Sequence, residues 1–161
     1  FQLLTQVSGR AGRSKVAGEV IIQTYNEQHF VLRKVLENDY KGFYAKEKAD
    51  RENIGYPPFT RIALIETKDT SMDKAKGAAY DFYKQIIKYK NYLKISDPTT
   101  AQIFKLLNNF RYHILIKSTK ENDPGGAILR KAILEAWTEF NKKSRYKDVK
   151  LFYDVDPQSI M

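Results

Sequence analysis

The chain has 161 residues, 42% apolar and 29% charged, with a net charge of +9 and no cysteine. These values lie near globular averages, which excludes a disordered tail or a fibrous chain; disulfides, cysteine-held zinc and thiol catalysis are excluded within these residues. The longest apolar run is Ile62–Ala63–Leu64–Ile65, far short of the ~20 residues a membrane helix needs, and excess cations favour polyanionic partners.

The chain lacks an initiating Met and opens inside a helical segment carrying Leu3, Leu4 and Val7. It reads as a piece of a longer protein. Gly9, Gly12 and Gly18 then punctuate a turn, and residues 18–25 (GEVIIQTY) have the β-branched content of a short strand. Residues 28–37 place Phe30, Val31, Val35 and Leu36 on a helical face, with His29 in the turn that opens it. Residues 39–53 form a second helix with Tyr40, Phe43, Tyr44 and Ala49 less regularly spaced. Roughly fifty-five residues with one strand bury little, so this part is expected to belong to a larger domain.

The Tyr56-Pro57-Pro58-Phe59 segment forbids helix and favours an extended connection. It separates residues 1–55, net +2, from residues 56–161, net +7. The boundary is placed near residue 55.

In the second part, residues 60–67 form an apolar strand. Thr70-Ser71-Met72-Asp73 resembles a capping box with Asp in the last position. The helix that follows carries Ala75, Ala79, Phe82/Tyr83 and Ile86. A short strand at 92–96 ends at Asp97-Pro98. Residues 102–107 and 111–117 read as a hairpin across Asn108-Asn109, because Asn tolerates positive φ. Asp123-Pro124 is expected to cap a helix bearing Leu129, Ala132/Ile133, Ala136 and Phe140. The last strand puts Val149, Leu151, Tyr153 and Val155 on one face. The class is α+β, and the order is the β-α-β-β-α-β pattern of ferredoxin-like domains, with both helices on one face of an antiparallel sheet. That fold hosts many functions.

The informative stretch is Gln6-Val7-Ser8-Gly9-Arg10-Ala11-Gly12-Arg13. Helical spacing puts the Arg10 and Arg13 guanidinium groups on one side. Gly9 and Gly12 remove side chains that block close approach, and Gln6 adds a donor one turn back. Paired arginines suit the γ-phosphate of a nucleotide, because guanidinium binds phosphate oxygens bidentately and neutralises transition-state charge. The plainer reading is a basic turn at a helix end.

The octet Q-x-x-G-R-x-G-R resembles motif VI of superfamily 2 helicases. Together with Thr5–Arg13 (TQVSGRAGR), Gly18–Thr24 (GEVIIQT), Tyr56–Phe59 (YPPF) and the Asp154-Val155-Asp156-Pro157 ending, it resembles the PriA family of replication-restart DNA helicases, with the blocks in family order across nearly the whole chain. The resemblance implies that residues 1–55 are the tail of the second helicase lobe. It implies that residues 56–161 are the family's C-terminal domain, similar to a small ribosomal protein. It implies 3′-to-5′ unwinding driven by ATP and Mg²⁺ at stalled forks, and reloading of the replicative helicase. The implied location is the bacterial cytoplasm. Arg10 and Arg13 match the γ-phosphate arginines, with Gln6, Gly9 and Gly12 at the ATP site and lobe interface; Ser8 stands where alanine is common. No G-x-x-x-x-G-K-[ST] phosphate loop occurs, no acidic metal-binding motif is identifiable and the family's zinc cysteines lie outside this chain. The chain alone is therefore expected to be inactive and to hold no metal. Implied partners are branched and single-stranded DNA, single-strand DNA-binding protein with its acidic tail, and other primosome proteins; no membrane is implied.

Two further surfaces are candidates. Lys76, Tyr80, Lys84 and Lys88 share one stripe of a helix, suited to phosphate contact or to an acidic partner, or only a solvated face. Arg111, His113 and Lys117 share the open face of a strand, suited to nucleic acid or an acidic peptide, or reflecting ordinary alternation. Asp154 and Asp156 read as a turn before proline rather than a carboxylate pair. The alternatives are a stand-alone nucleic-acid-binding module without a catalytic role, and a ribosome-associated RNA-binding protein; neither needs the octet.

Overall fold

The computed structural model describes residues 1–9 and 19–158. It divides into two compact units, Phe1–Asn53 and Ile54–Met161.

The first unit contains α1 (Gln2–Ser8), α2 (Phe30–Leu36) and α3 (Tyr40–Asn53). None of its described residues is buried. Aromatic contacts hold it instead: Phe1 stacks on Phe43 at 5.0 Å and Phe30 lies 6.1 Å from Phe43. His29 caps α2 by accepting from the Val31 amide through Nδ1 at 3.3 Å. Asp39 receives the Gly42 amide at 2.8 Å and pairs with Lys34 at 2.8 Å. The strand expected at 18–25 is not formed over residues 19–25. A strand needs a hydrogen-bonded neighbour, and no second extended segment among the described residues of this unit supplies one. Ile21 stays 86% exposed, and the chain turns where Thr24 and Asn26 side chains accept the Asn26 and Gln28 amides.

The second unit is built on β1 (Thr60–Asp69), α4 (Met72–Ile86), β2 (Lys94–Ile95), β3 (Thr99–Leu106), β4 (Asn109–Thr119), α5 (Ala127–Asn141) and β5 (Lys150–Val155). The sheet is antiparallel in the order β2-β4-β1-β5, and β3 also pairs with β4. The second strand of the ferredoxin-like pattern is thus split at Asp97-Pro98 into β2 and β3, because proline cannot donate to the ladder. Ala63, Ile65, Ile114 and Ile116 point from the central strands into one core with Phe82 and Ile86 of α4 and Leu129, Ile133 and Phe140 of α5. Both helices therefore cover the same face. Thr67 Oγ1 donates to the Ala75 carbonyl at 2.8 Å and pins α4 to β1.

Three local expectations shift. Ser71 is the cap of α4, accepting from the Lys74 amide, while Asp69 accepts the Ser71 amide. The hairpin turns at Leu107 and Asn108, both at positive φ, and Asn109 already pairs with Leu106. Helix α5 begins one turn after Pro124: Gly126 takes φ +70°, which glycine adopts without strain, and the Asp123 carboxylate reaches forward to the Ile128 and Leu129 amides.

Candidate functional site

Gln6 is exposed on α1, and Gly9 ends that helix in right-handed backbone at φ −70°. Arg10, Gly12 and Arg13 lie outside the described residues.

The α4 stripe is exposed as its spacing predicts. Lys76, Tyr80 and Lys84 project from the helix side opposite buried Ala75, Ala79, Phe82 and Ile86. Lys88 falls in the 3₁₀ turn Ile87–Tyr89, where its ammonium pairs with Glu135 of α5 at 3.0 Å. The Tyr89 hydroxyl donates to the same carboxylate at 2.7 Å. Lys84 stands 3.9 Å from buried Asp81, which also holds Lys143 and Arg145. Lys76 has no ion-pair partner among the described residues.

The strand register puts Arg111, His113, Leu115 and Lys117 on the sheet face away from the helices, opposite Lys68, Glu66, Leu64 and Ile62. These cations are engaged. Arg111 donates to Glu66 Oε2 through Nε and Nη2 at 2.9 and 2.6 Å, and His113 Nε2 lies 2.9 Å from the same oxygen. Burial raises the Glu66 carboxyl, but the bonds from His113 and Arg111 outweigh it and hold its pKa at about 2. His113 itself is buried. Lys117 donates to the Ile54 carbonyl at 3.0 Å and sits over the Tyr56 ring. Burial, with Lys94 beside it, lowers its ammonium pKa. Asp156 accepts the Ile62 amide at 2.9 Å, so it closes the end of the β1–β5 ladder as the turn reading expects.

One feature has no counterpart in the sequence reasoning. Tyr153 and Val155 share the helix-side face of β5 with Leu151, yet they are 55% and 44% exposed. A cavity of about 670 Å³ lies here, lined by Leu134, Trp137, Tyr153 and Val155 together with Arg61 and Arg130. Trp137 meets Tyr153 edge-on at 5.5 Å. Arg61 is fixed there by donating to the Asp123 and Pro124 carbonyls at 2.7 and 2.6 Å. The available signal was Leu134, an apolar residue on the polar side of α5.

Among the described residues no three His, Cys, Asp or Glu side chains converge as metal ligands, and no helix is long and apolar enough to cross a membrane.

Residues 52–158 match the family model for the primosomal protein N C-terminal domain. The whole chain is similar, at 34% identity, to the replication restart protein PriA of Bacillus subtilis. Over 99% of its length it is also 34% identical to the PriA proteins of Synechocystis and Haemophilus influenzae. It spans about a fifth of the length of the curated relatives it matches, 20%, 18% and 21% in these cases. With the family's C-terminal domain matched over β1 to β5 and the similarity continuing through α1, the chain belongs to the PriA family of replication restart proteins.

Proposed function

We propose that this chain serves within a longer ATP-dependent 3′-to-5′ DNA helicase that restarts stalled replication forks in the bacterial cytoplasm. Residues 1–55 contribute the tail of the second helicase lobe. Residues 56–161 contribute a domain that grips branched or single-stranded DNA and receives other primosome proteins. The observation that carries this reading is the Q-x-x-G-R-x-G-R octet within a similarity to PriA proteins that covers the whole of this chain.

In this reading Arg10 and Arg13 meet charge developing on the γ-phosphate, with Gln6, Gly9 and Gly12 shaping their approach. ATP and Mg²⁺ are held mainly by residues elsewhere in the longer protein, as is zinc. Arginine fingers act on the transition state, so their removal lowers kcat more than nucleotide affinity. In the full-length protein, Arg10→Ala and Arg13→Ala should each cut DNA-stimulated ATP turnover by about 10³-fold or more. Near-normal kcat in both variants would reject the assignment.

The acidic tail of single-strand DNA-binding protein is the second partner in this reading. The cavity between α5 and β5 is a candidate seat for it, since apolar side chains lined up with Arg130 suit a carboxylate-rich peptide. Titrating a labelled acidic tail peptide against Arg130→Glu and Leu134→Asp variants tests it. Unchanged affinity in both would remove this cavity as its seat.

A further inference from the structure

The sheet face opposite α4 and α5 carries a row of facing cations. Arg111, Lys68 and Lys150 stand directly opposite one another on β4, β1 and β5. Like charges in directly facing positions disfavour a sheet. With strands about 4.8 Å apart, the row extends for about 10 Å across the face. Lys94 and Lys117 form a second facing pair of cations toward the β2 edge. Glu66 and Asp154 are the carboxylates on these strands of the face. Glu66 is consumed by Arg111 and His113 and lies 4.0 Å from Lys68. Lys150 is exposed and has no ion-pair partner among the described residues.

The next row holds an aromatic side chain. Phe152 faces Glu66 across the β1–β5 ladder and is 47% exposed, an apolar ring on the sheet face opposite α4 and α5. Lys68 Nζ lies 4.4 Å from the ring centroid, so a cation and a stacking surface adjoin. A cavity of about 160 Å³ at the hairpin end of the same face is lined by Glu66, Lys68, Leu106, Leu107, Asn109 and Arg111.

We propose that this face, with Lys68 and Lys150 on the backbone phosphates, Arg111 fixed beside them and Phe152 stacking a base, is a binding platform for a single-stranded polynucleotide. A positive track beside an exposed ring is what sequence-tolerant single-strand binding requires. An antiparallel sheet whose other face is covered by helices can present such a track to splayed bases, here at the end where Lys150 and Phe152 are exposed, since Ile62, Leu64 and His113 of the same face are buried. An acidic peptide would satisfy the lysines but would leave the ring without a planar partner. The inference rests on the DNA-gripping role given to this domain above, and it adds residues beyond the α4 stripe to that role.

The test uses the whole chain and fluorescence anisotropy with labelled dT15 and rU15 across a salt series. Lys68→Ala with Lys150→Ala should lower the slope of log affinity against log salt by about 1.4, at ~0.7 per lost single-strand contact. Phe152→Ala should weaken binding about tenfold with little change in slope, and Phe152→Trp should restore it. Phe152→Leu keeps apolar volume but not the ring; it should bind as weakly as Phe152→Ala while retaining the parent Tm. Whichever oligonucleotide binds tighter identifies the natural strand, and either result supports the platform. Parent-like affinity and slope in the open-face variants overturn it. If only Lys76→Ala with Lys84→Ala changes the slope, the domain grips DNA through α4 and the platform alone falls. If the open-face variants lose an acidic peptide but keep dT15 and rU15, the face belongs to a protein partner and the proposal fails.

Discussion

Asp123 shows how one side chain can fix the start of an element from outside it. It is buried, and its carboxylate accepts from the Ile128 and Leu129 amides at 3.2 and 3.1 Å and from the Ser118 hydroxyl at 3.0 Å. Burial alone would raise its pKa, but these donors lower it. Asp123→Ala leaves two amides of the first turn of α5 without acceptors, so it should cost about 2–3 kcal/mol. Urea unfolding should show a lower midpoint at unchanged m, and a parent-like midpoint would contradict this account. Glu66 yields a pH prediction. Its folded pKa of about 2 lies below the ordinary 4.5, so the ionised group stabilises the fold fully above about pH 4.5. That contribution, on the order of 3 kcal/mol, is lost as pH falls through about 2. Glu66→Gln should therefore destabilise the domain at pH 6 and flatten stability against pH between 4.5 and 2. Parallel parent and variant curves over that window would show that Glu66 does not carry the acid response.

At the scale of elements, what the sequence made legible follows from where apolar periodicity meets a partner. Ala75, Ala79, Phe82 and Ile86 of α4, and Leu129, Ile133, Ala136 and Phe140 of α5, lie buried as their spacing predicts. The alternation on β4 likewise sorts Tyr112, Ile114 and Ile116 from Arg111, His113 and Lys117. Residues 19–25 have strand composition but no neighbour, and pairing is not written in one segment. Cross-strand neighbours are equally invisible locally. The register, not the composition of β1, β4 or β5, brings Lys68, Arg111 and Lys150 into line and gives Glu66 its partners. The hairpin turn was displaced by one residue because Asn108-Asn109 is the better turn dipeptide, whereas the structure spends positive φ on Leu107, at φ 47° and 87% exposed. An L side chain in that region is disfavoured by about 1 kcal/mol, and asparagine tolerates it better. Leu107→Asn should thus raise stability by about 0.5–1 kcal/mol, read as a Tm increase of a few degrees. A lower Tm would mean that the exposed leucine is packed in solution.

For the whole molecule, charge and chemistry separate. The +9 charge supplies attraction for a polyanion, while the sequence has no phosphate loop, so the chain alone should turn over no ATP with DNA and Mg²⁺ present; turnover above background in a steady-state assay would refute the assignment of the site to a longer protein. The second question is which cations carry the attraction, and counterion release makes it measurable. On α4, Lys76 has no ion-pair partner among the described residues and Lys84 has only a carboxylate 3.9 Å away. Each should contribute fully to the salt slope if it touches phosphate. Lys88 is neutralised at 3.0 Å by Glu135, so a phosphate must displace a carboxylate and gains less. Lys76→Ala with Lys84→Ala should lower the slope on single strands by about 1.4. Adding Lys88→Ala should lower it by less than a further 0.7. Glu135→Gln should move the other way: freeing Lys88 strengthens DNA binding and steepens its salt dependence. An unchanged slope in the double variant identifies the stripe as a solvated face. A full additional step from Lys88→Ala would mean that the Glu135 pair opens on DNA, and Glu135→Gln would then leave the slope where it was.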